Sequence, residues 1–464
     1  MSEFARSRAM RQFYRNLFTR LIELPETDVM PTHIVAEIFS FKSPHFERLE
    51  PQIRAVRTEL EPEKEEALKH LLCAIVLANY ALDEAESEER QRLSAELNPR
   101  IIEFVVAALK SDSNVNYLVA AIQILFRINE ISSALFLINN NLSLVSKSGP
   151  VLKILLLICL MENDYNQAMV VIQALTEDAS LIGEDPMALL MITCGIYKLG
   201  GIPDSYIDFR PLNEREHQIS DGDYAEWIAK TSNSKTTVLV ACDKYDYFEH
   251  AIPLLYSVYE TNRDVLDVHL HLFNCDEEVK QSVMSLRERL PELHISATHE
   301  EIPDQEAMSV YYACRRIVFL RHALQKFATP IIALNANTLM RQRWASQTTP
   351  LMLLHSETAP FWEEISPGFI YANPVELTQR YLDRVAGFID VNLKNGNATY
   401  GLDPVALFAV LDTFTGSEQM QISRVDCGSL LSSKNQTEAF CWVNERNNRA
   451  SAEYLASLKH KYHH

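Results

Sequence analysis

Glycine is scarce in this 464-residue chain: 12 positions, only one of them (Gly149) before residue 183, where average usage is about 7%. With so little glycine and 47% hydrophobic residues, the chain is neither collagenous nor disordered. Neither GxGxxG nor GxxxxGK[ST] occurs, so both glycine-loop phosphate cradles are missing. Basic residues are also few, 43 against 62 acidic, for a net charge of −19. Such a chain lacks the clustered Lys and Arg that hold nucleic-acid phosphates, so no nucleic-acid partner is expected. Long apolar runs are absent as well. The best, Val151 to Met161, is interrupted by Lys153 and falls short of the roughly 18 residues of a membrane span. Among eight cysteines the closest two, Cys427 and Cys441, are fourteen residues apart, which excludes CxxC and zinc-ribbon spacing. Most lie in apolar runs such as LLCAIVL and LLICLM and read as reduced core residues, predicting a cytoplasmic protein.

What is present divides into two grammars. Residues 1 to 200 carry helical signals almost throughout. The first stretch places Arg6, Arg8, Arg11, Arg15 and Arg20 among Phe4, Phe13, Tyr14, Leu17 and Phe18. It reads as a first helix packing on an acidic body, or as an Arg-rich presequence or membrane-surface helix. Helical spacing marks Glu63 to Ala81 and Ile101 to Leu109, with Pro62 and Pro99 expected near helix starts. Leu125 to Ile138 (LFRINEISSALFLI) aligns with Cys159 to Ile172 (CLMENDYNQAMVVI) at an offset of 34 residues. Each copy ends one apolar helix in a short polar turn and opens a second over a small Ala, which lets two antiparallel helices approach closely. A helix-turn-helix period of 34 resembles tetratricopeptide repeats and implies a partner-binding or bracing module; a plain helical bundle is the alternative. A third unit, Met191 to Ile207, keeps its first helix and loses the second at Pro203. Residues 201 to 235, polar and carrying Pro and Gly, read as a linker.

From residue 236 to about 445 strands alternate with helices. Thr236 to Cys242, Val268 to Phe273, Leu293 to Ala297 and Pro330 to Leu334 read as strands, and Tyr247 to Tyr259, Glu277 to Leu290 and Glu306 to Phe327 as helices. That pattern predicts a mostly parallel sheet covered by helices, and the whole chain an α plus α/β architecture with a C-terminal helix and tail at 446 to 464. In such sheets ligands bind beyond the carboxyl ends of the strands. Asp243 with Tyr245 and Tyr247 stands after the first strand, and Asn335 with Asn337 after the strand PIIAL. Locally, Asp243 is also a good helix cap, and Arg315 with Arg316 a solvated helix face. His269 and His271 alternate on a strand face, with no carboxylate placed beside them by the sequence. Glu363 and Glu364 follow an aromatic pair and suit a sugar hydroxyl or a Trp-anchored loop.

The order of these pieces resembles the GT-A-fold glycosyltransferases of the glycogenin and lipopolysaccharide-galactosyltransferase type. The likeness runs over residues 236 to 415: an Asp then a Tyr after the first strand (Asp243), a helix with Ser257, a long helix opening Tyr312-Ala313-Cys314-Arg315-Arg316, a strand leading to a two-acid motif, a strand ending Ile370-Tyr371-Ala372-Asn373-Pro374, and Leu402-Asp403-Pro404. The resemblance implies a nucleotide-sugar partner, with Asp243 on the base, Tyr245 or Tyr247 stacking, Arg316 or its neighbour Arg315 toward the diphosphate, Asn373 in the site, and Asp403 as the catalytic residue beside the transferred sugar or the acceptor. It departs where charge matters. The family's Asp-x-Asp, which holds Mn²⁺ or Mg²⁺, reads Asn335-Ala336-Asn337, the His that completes its metal site has no counterpart between His355 and His460, and the Gln after Asp403 is Pro404. Two outcomes follow: a transferase that works without metal, its cations supplied by arginine, or an inactive relative kept for binding or assembly.

Overall fold

The computed structural model describes residues 22–39, 46–83, 88–214, 218–220, 222–356, 359–432, 438–444 and 449–462. The Arg-rich stretch 1–21, His463 and His464 lie outside them. The chain divides into two compact units, Met1–Leu199 and Gly200–His464.

The first unit is helical: α1 (Thr32–Ile38), α2 (Phe46–Ala55), α3 (Pro62–Asp83), α4 (Glu88–Ser111), α5 (Val115–Arg127), α6 (Ile131–Asn140), α7 (Leu142–Val145), α8 (Gly149–Met161), α9 (Tyr165–Glu177) and α10 (Pro186–Lys198). Pro62 opens α3 as expected, but Pro99 lies inside α4 instead of starting a helix. The ring removes one backbone donor, and α4 runs on because it packs along the neighbouring α3. The 34-residue offset is structural. α5–α6 and α8–α9 are hairpins of the same build, and the turn of each is locked in the same way. Asn129 and Asn163 both take the left-handed conformation, at φ 66° and 59°. The next residue closes back on the first helix in both, Glu130 N–H to Leu125 C=O and Asp164 N–H to Cys159 C=O, each 2.9 Å. This is the Schellman closure, and Asn meets its left-handed requirement at low cost. Ala134 and Ala168, equivalent in the two copies, are fully buried. Gly149 opens α8 where a Cβ would stand 2.6 Å from the Leu181 carbonyl oxygen, so no larger residue fits.

The second unit is built on strands β1 (Ala225–Ile228), β2 (Thr236–Cys242), β3 (Leu266–Phe273), β4 (Ile295–Glu300), β5 (Ile331–Leu334), β6 (Thr338–Met340), β7 (Leu351–His355), β8 (Ile365–Ala372), β9 (Ile422–Asp426), β10 (Leu431–Ser432) and β11 (Cys441–Val443). Among the described residues eight of them form one sheet in the order β1-β4-β3-β2-β5-β8-β7-β9, and β10-β11-β6 form a second. β2, β3, β4 and β5 run parallel, while β1 and β8 pair antiparallel to their neighbours. The helices are α11 (Ile252–Asn262), α12 (Glu277–Arg289), α13 (Met308–Phe327), α14 (Phe361–Glu364), α15 (Glu376–Lys394), α16 (Leu402–Asp412) and α17 (Arg449–Lys461). The stretch expected to be a linker is largely part of this unit: β1 lies within it and closes the sheet edge against β4. The C-terminal stretch, expected to be a helix and tail, carries α17. There Leu458 is buried and Tyr462 stacks on Tyr256 at 4.3 Å, and His460 lies in the helix.

The chain runs from β2 outward through β3 to β4, then returns to the other side of β2 as β5. The sheet therefore reverses its direction of growth between β2 and β5. In open α/β sheets the crevice outside such a switch point, at the carboxyl ends of the strands, is where ligands bind.

Candidate functional site

Asp243 follows β2 and caps the next turn, its carboxylate accepting from the Asp246 backbone N–H at 2.9 Å. The chain then passes through a π-turn, Tyr247–Ala251, before α11 begins, an irregularity often found at functional positions. The two tyrosines part here. Tyr245 is 65% exposed and free to stack on a planar ligand, whereas Tyr247 is buried, its hydroxyl donating to Ser282 at 2.9 Å. Tyr247 is thus a core residue and not a stacking platform.

At the end of β3, Asn274 adopts a left-handed φ of 49°. Its amide bonds both backbone groups of Ile302, at 2.7 and 2.9 Å, and reaches the Tyr312 hydroxyl at 3.3 Å. Tyr312 lies flat on Phe273, with ring centroids 4.9 Å apart. Burial raises its phenol pKa, and the nearby Asp243 charge adds to the rise. Asp243, Asn274 and Tyr312 thus gather at the carboxyl ends of β2 and β3. Asn274 was not singled out from the sequence; a non-glycine residue forced into a left-handed turn after a strand leaves no trace in composition.

Past β5, Asn335 N–H donates to the Gly368 carbonyl at 3.1 Å, tying the strand end to β8. Its side-chain oxygen accepts from Arg316, whose other terminal nitrogen donates to the Pro367 carbonyl at 3.0 Å. Asn337 is half-buried, its backbone carbonyl accepting from Asn444 N–H at 2.8 Å. Asp403 stands in the first turn of α16, half-buried. Loss of solvent raises its pKa, with Arg316 pulling it back down. Glu363 on α14 completes the group. Its Oε1 is buried with no hydrogen-bond partner among the described residues, and burial lifts its pKa to about 7. Tyr400 lies near both carboxyls: burial, then the charges of Glu363 and Asp403, push its phenol up to about 12. The neighbouring Glu364 is engaged by His355, 2.9 Å away.

Arg315 and Arg316 do not face one ligand. Adjacent helix positions diverge by about 100°, so Arg316 points to β5 and Arg315 to β4. There Arg315 donates to Glu300 at 2.8 Å, to the Ser220 carbonyl at 3.1 Å and to the Tyr224 hydroxyl at 3.1 Å. Gly222 permits this closure, since a Cβ there would meet Glu300 Oε1 at 2.4 Å. Asn373 also departs from the expected cluster. It follows β8, which runs antiparallel to β5 with Ala372 opposite Ile331, so Asn373 lies at the amino end of the parallel strands, away from Asn335. Its N–H binds the Pro350 carbonyl at 2.9 Å, a turn contact.

The residues at Asn335 do not suit a divalent cation. The oxygen that would ligate it already accepts from a guanidinium, whose positive charge opposes a second cation there. Among the described residues no group of three or more His, Cys, Asp or Glu side chains is placed to hold a metal ion. No helix among them is long and apolar enough to cross a membrane.

The unit is thus an α/β sheet whose switch point has Asp243 after one strand and Asn335 after its parallel neighbour. No family model matches the chain, and no curated protein matches it either. Among solved structures it is similar to the galactosyltransferase LgtC in complex with donor and acceptor sugar analogues. The identity is 11% and the TM-score 0.36, over 49% of this chain and 96% of that one.

Proposed function

We propose that the second unit binds a nucleotide sugar in the crevice between the carboxyl ends of β2 and β5 and transfers the sugar to a protein or glycan acceptor without a metal ion. One observation supports this reading: Asp243 and Tyr245 follow β2 and Asn335 follows β5, neighbouring parallel strands on either side of the switch point, while Asp403 feels the charge of the Arg316 that holds Asn335 and Tyr400 feels both Asp403 and Glu363. Tyr245 supplies a face for the base, with Asp243 and the Asn274–Tyr312 pair as polar partners. Arg316 polarises the Asn335 amide from behind, which favours its NH₂ group as a donor to diphosphate oxygen in place of a metal. In the transfer, the bond from anomeric carbon to diphosphate oxygen breaks with its electron pair on the diphosphate. The acceptor oxygen bonds to that carbon, and its proton passes to a carboxylate, for which Glu363, titrating near neutrality, is suited. Asp403 stands beside the sugar. The helical unit is proposed to hold the acceptor or a scaffold partner.

A non-catalytic binder is the second reading, favoured by the engagement of both Arg315 and Arg316 by the protein's own groups. Calorimetry with a panel of uridine and guanosine diphosphate sugars, in EDTA and in Mn²⁺, tests both. The expected result is binding of equal strength in both buffers that is weakened at least about tenfold in Asp243→Ala. No heat with any donor overturns the proposal. Binding without donor hydrolysis or transfer, unchanged in Asp403→Asn and Glu363→Gln, selects the non-catalytic reading.

A further inference from the structure

In a chain that is 23% Asp, Glu, Lys and Arg, the stretch from Ile131 to Val145, covering α6 and α7, holds none of them. Tyr165 to Thr176, nearly all of α9, holds none either. These segments nevertheless face solvent. Phe136 is 67% exposed and Val170 55%, with Leu142, Leu144 and Met169 also exposed. A solvated helix face ordinarily carries charge, and depletion of charge with enrichment in Phe, Met and Leu marks the centre of a protein interface. Exposed acids border the face at Glu162, Asp164, Glu177 and Asp178, which supplies the polar rim.

The repeat decides what covers it. Phe136 and Val170 are 34 residues apart and occupy the same position in hairpins of the same build, whose first helices α5 and α8 pack together. Both side chains therefore leave the unit on one side, a large ring on one hairpin and a small branched group on the other. Turned by a two-fold axis, that face is complementary to itself: Phe136 of each copy meets Val170 of the other. Charge restricts where two copies can meet: at −19 each they repel, and the cost is least over helices that bear no charge.

We propose that the α6–α7–α9 face is an isologous interface with a second copy of this chain. Helices of 10 and 13 residues are about 15 and 20 Å long. Side by side they offer roughly half of the ~800 Å² that each partner gives a standard interface, so the association is weak and concentration-dependent.

Sedimentation velocity of the full chain from about 5 to about 200 µM tests it, in low and in moderate salt. The expected result is a weight-average mass climbing from 53.0 kDa toward twice that value. The climb strengthens with salt, because the repulsion is screened while the apolar contact is not. Phe136→Glu and Val170→Glu, made singly, each abolish the climb, since each substitution enters a two-fold interface twice. Should either disturb the fold by circular dichroism, Phe136→Gln and Val170→Gln replace them. A wild-type chain that stays monomeric throughout overturns the proposal and leaves the face to a different protein. A Phe136→Glu chain that associates like wild type overturns it as well.

Discussion

Two polar groups in the second unit, one fully buried and one partly exposed, make an instructive pair. One runs along β3 and β4 under α13, where every link is closed. Ser296 meets His269 Nδ1 at 2.8 Å, His269 Nε2 meets Thr298 at 2.9 Å, Thr298 meets His271 Nδ1 at 2.9 Å, and His271 Nε2 meets Glu300 at 2.9 Å. Glu300 in turn holds Arg315. The proton order follows from the last link. Arg315 and His271 keep Glu300 ionised against the desolvation that opposes it, lowering its pKa, so His271 donates from Nε2. Burial depresses both imidazoles and keeps them neutral, so Thr298 donates to His271 Nδ1 and accepts from His269 Nε2–H. The other group, Glu363, Asp403 and Tyr400, is open: Glu363 Oε1 is buried with no partner among the described residues. A closed network is architecture, whereas an open one leaves a polar atom for a ligand to satisfy.

The largest expected break in that comparison is Glu300→Ala. It strands the Arg315 charge and the His271 N–H in the interior and should lower unfolding free energy by about 4 kcal/mol. Glu363→Ala should cost under about 1 kcal/mol, as it removes a group that gains nothing from being buried. Denaturant melts read both, and equal losses would erase the distinction. Acid gives the next effect. His271 has a folded pKa of about 4 against an ordinary 6.5, so below pH 6.5 the unfolded chain takes up a proton that the folded chain refuses. Stability attributable to this residue is therefore lost as pH falls from 6.5 to about 4, by roughly 3 kcal/mol. Glu363 works in the opposite sense and more weakly. Its folded pKa of about 7 lies above 4.5, so the folded chain holds the extra proton and loses stability as pH rises from 4.5 to 7. Glu363→Gln should recover about 2 kcal/mol at pH 7 and steepen the acid loss due to His271. Melting temperatures of wild type and variant across pH 4 to 8 check both slopes; parallel curves would refute the assignment.

The elements of the second unit were largely legible, because long apolar runs and helical periods are local properties. β2 falls on the expected residues Thr236 to Cys242, and α13 starts two residues later than expected. β4 was less legible: Ile295 to Glu300 contains Ser, Thr, His and Glu, which read as a strand end but are all buried. Their partners lie on β3, nearly 30 positions away in sequence, beyond the reach of any local pattern. The same limit explains the candidate site. Asp243 and Asn335 could be placed because strand order alone puts them at one sheet end, whereas Asn373 depended on β8 running antiparallel, which spacing does not encode. Arg315 and Arg316 are adjacent in sequence, and only the packing of α13 against two different strands decides which of them turns toward Asn335.

The closed chain along β3 and β4 has a consequence for how the sheet is assembled. Parallel strands of plain Val and Leu pair almost as well when slid by two residues, since the same faces stay buried. Here such a slide sets Glu300 against His269 or carries it past the strand end, and it takes the carboxylate away from Arg315. The histidines and hydroxyls thus act as a combination lock on alignment, admitting one register of β3 on β4 and with it one placement of the strand ends that frame the crevice.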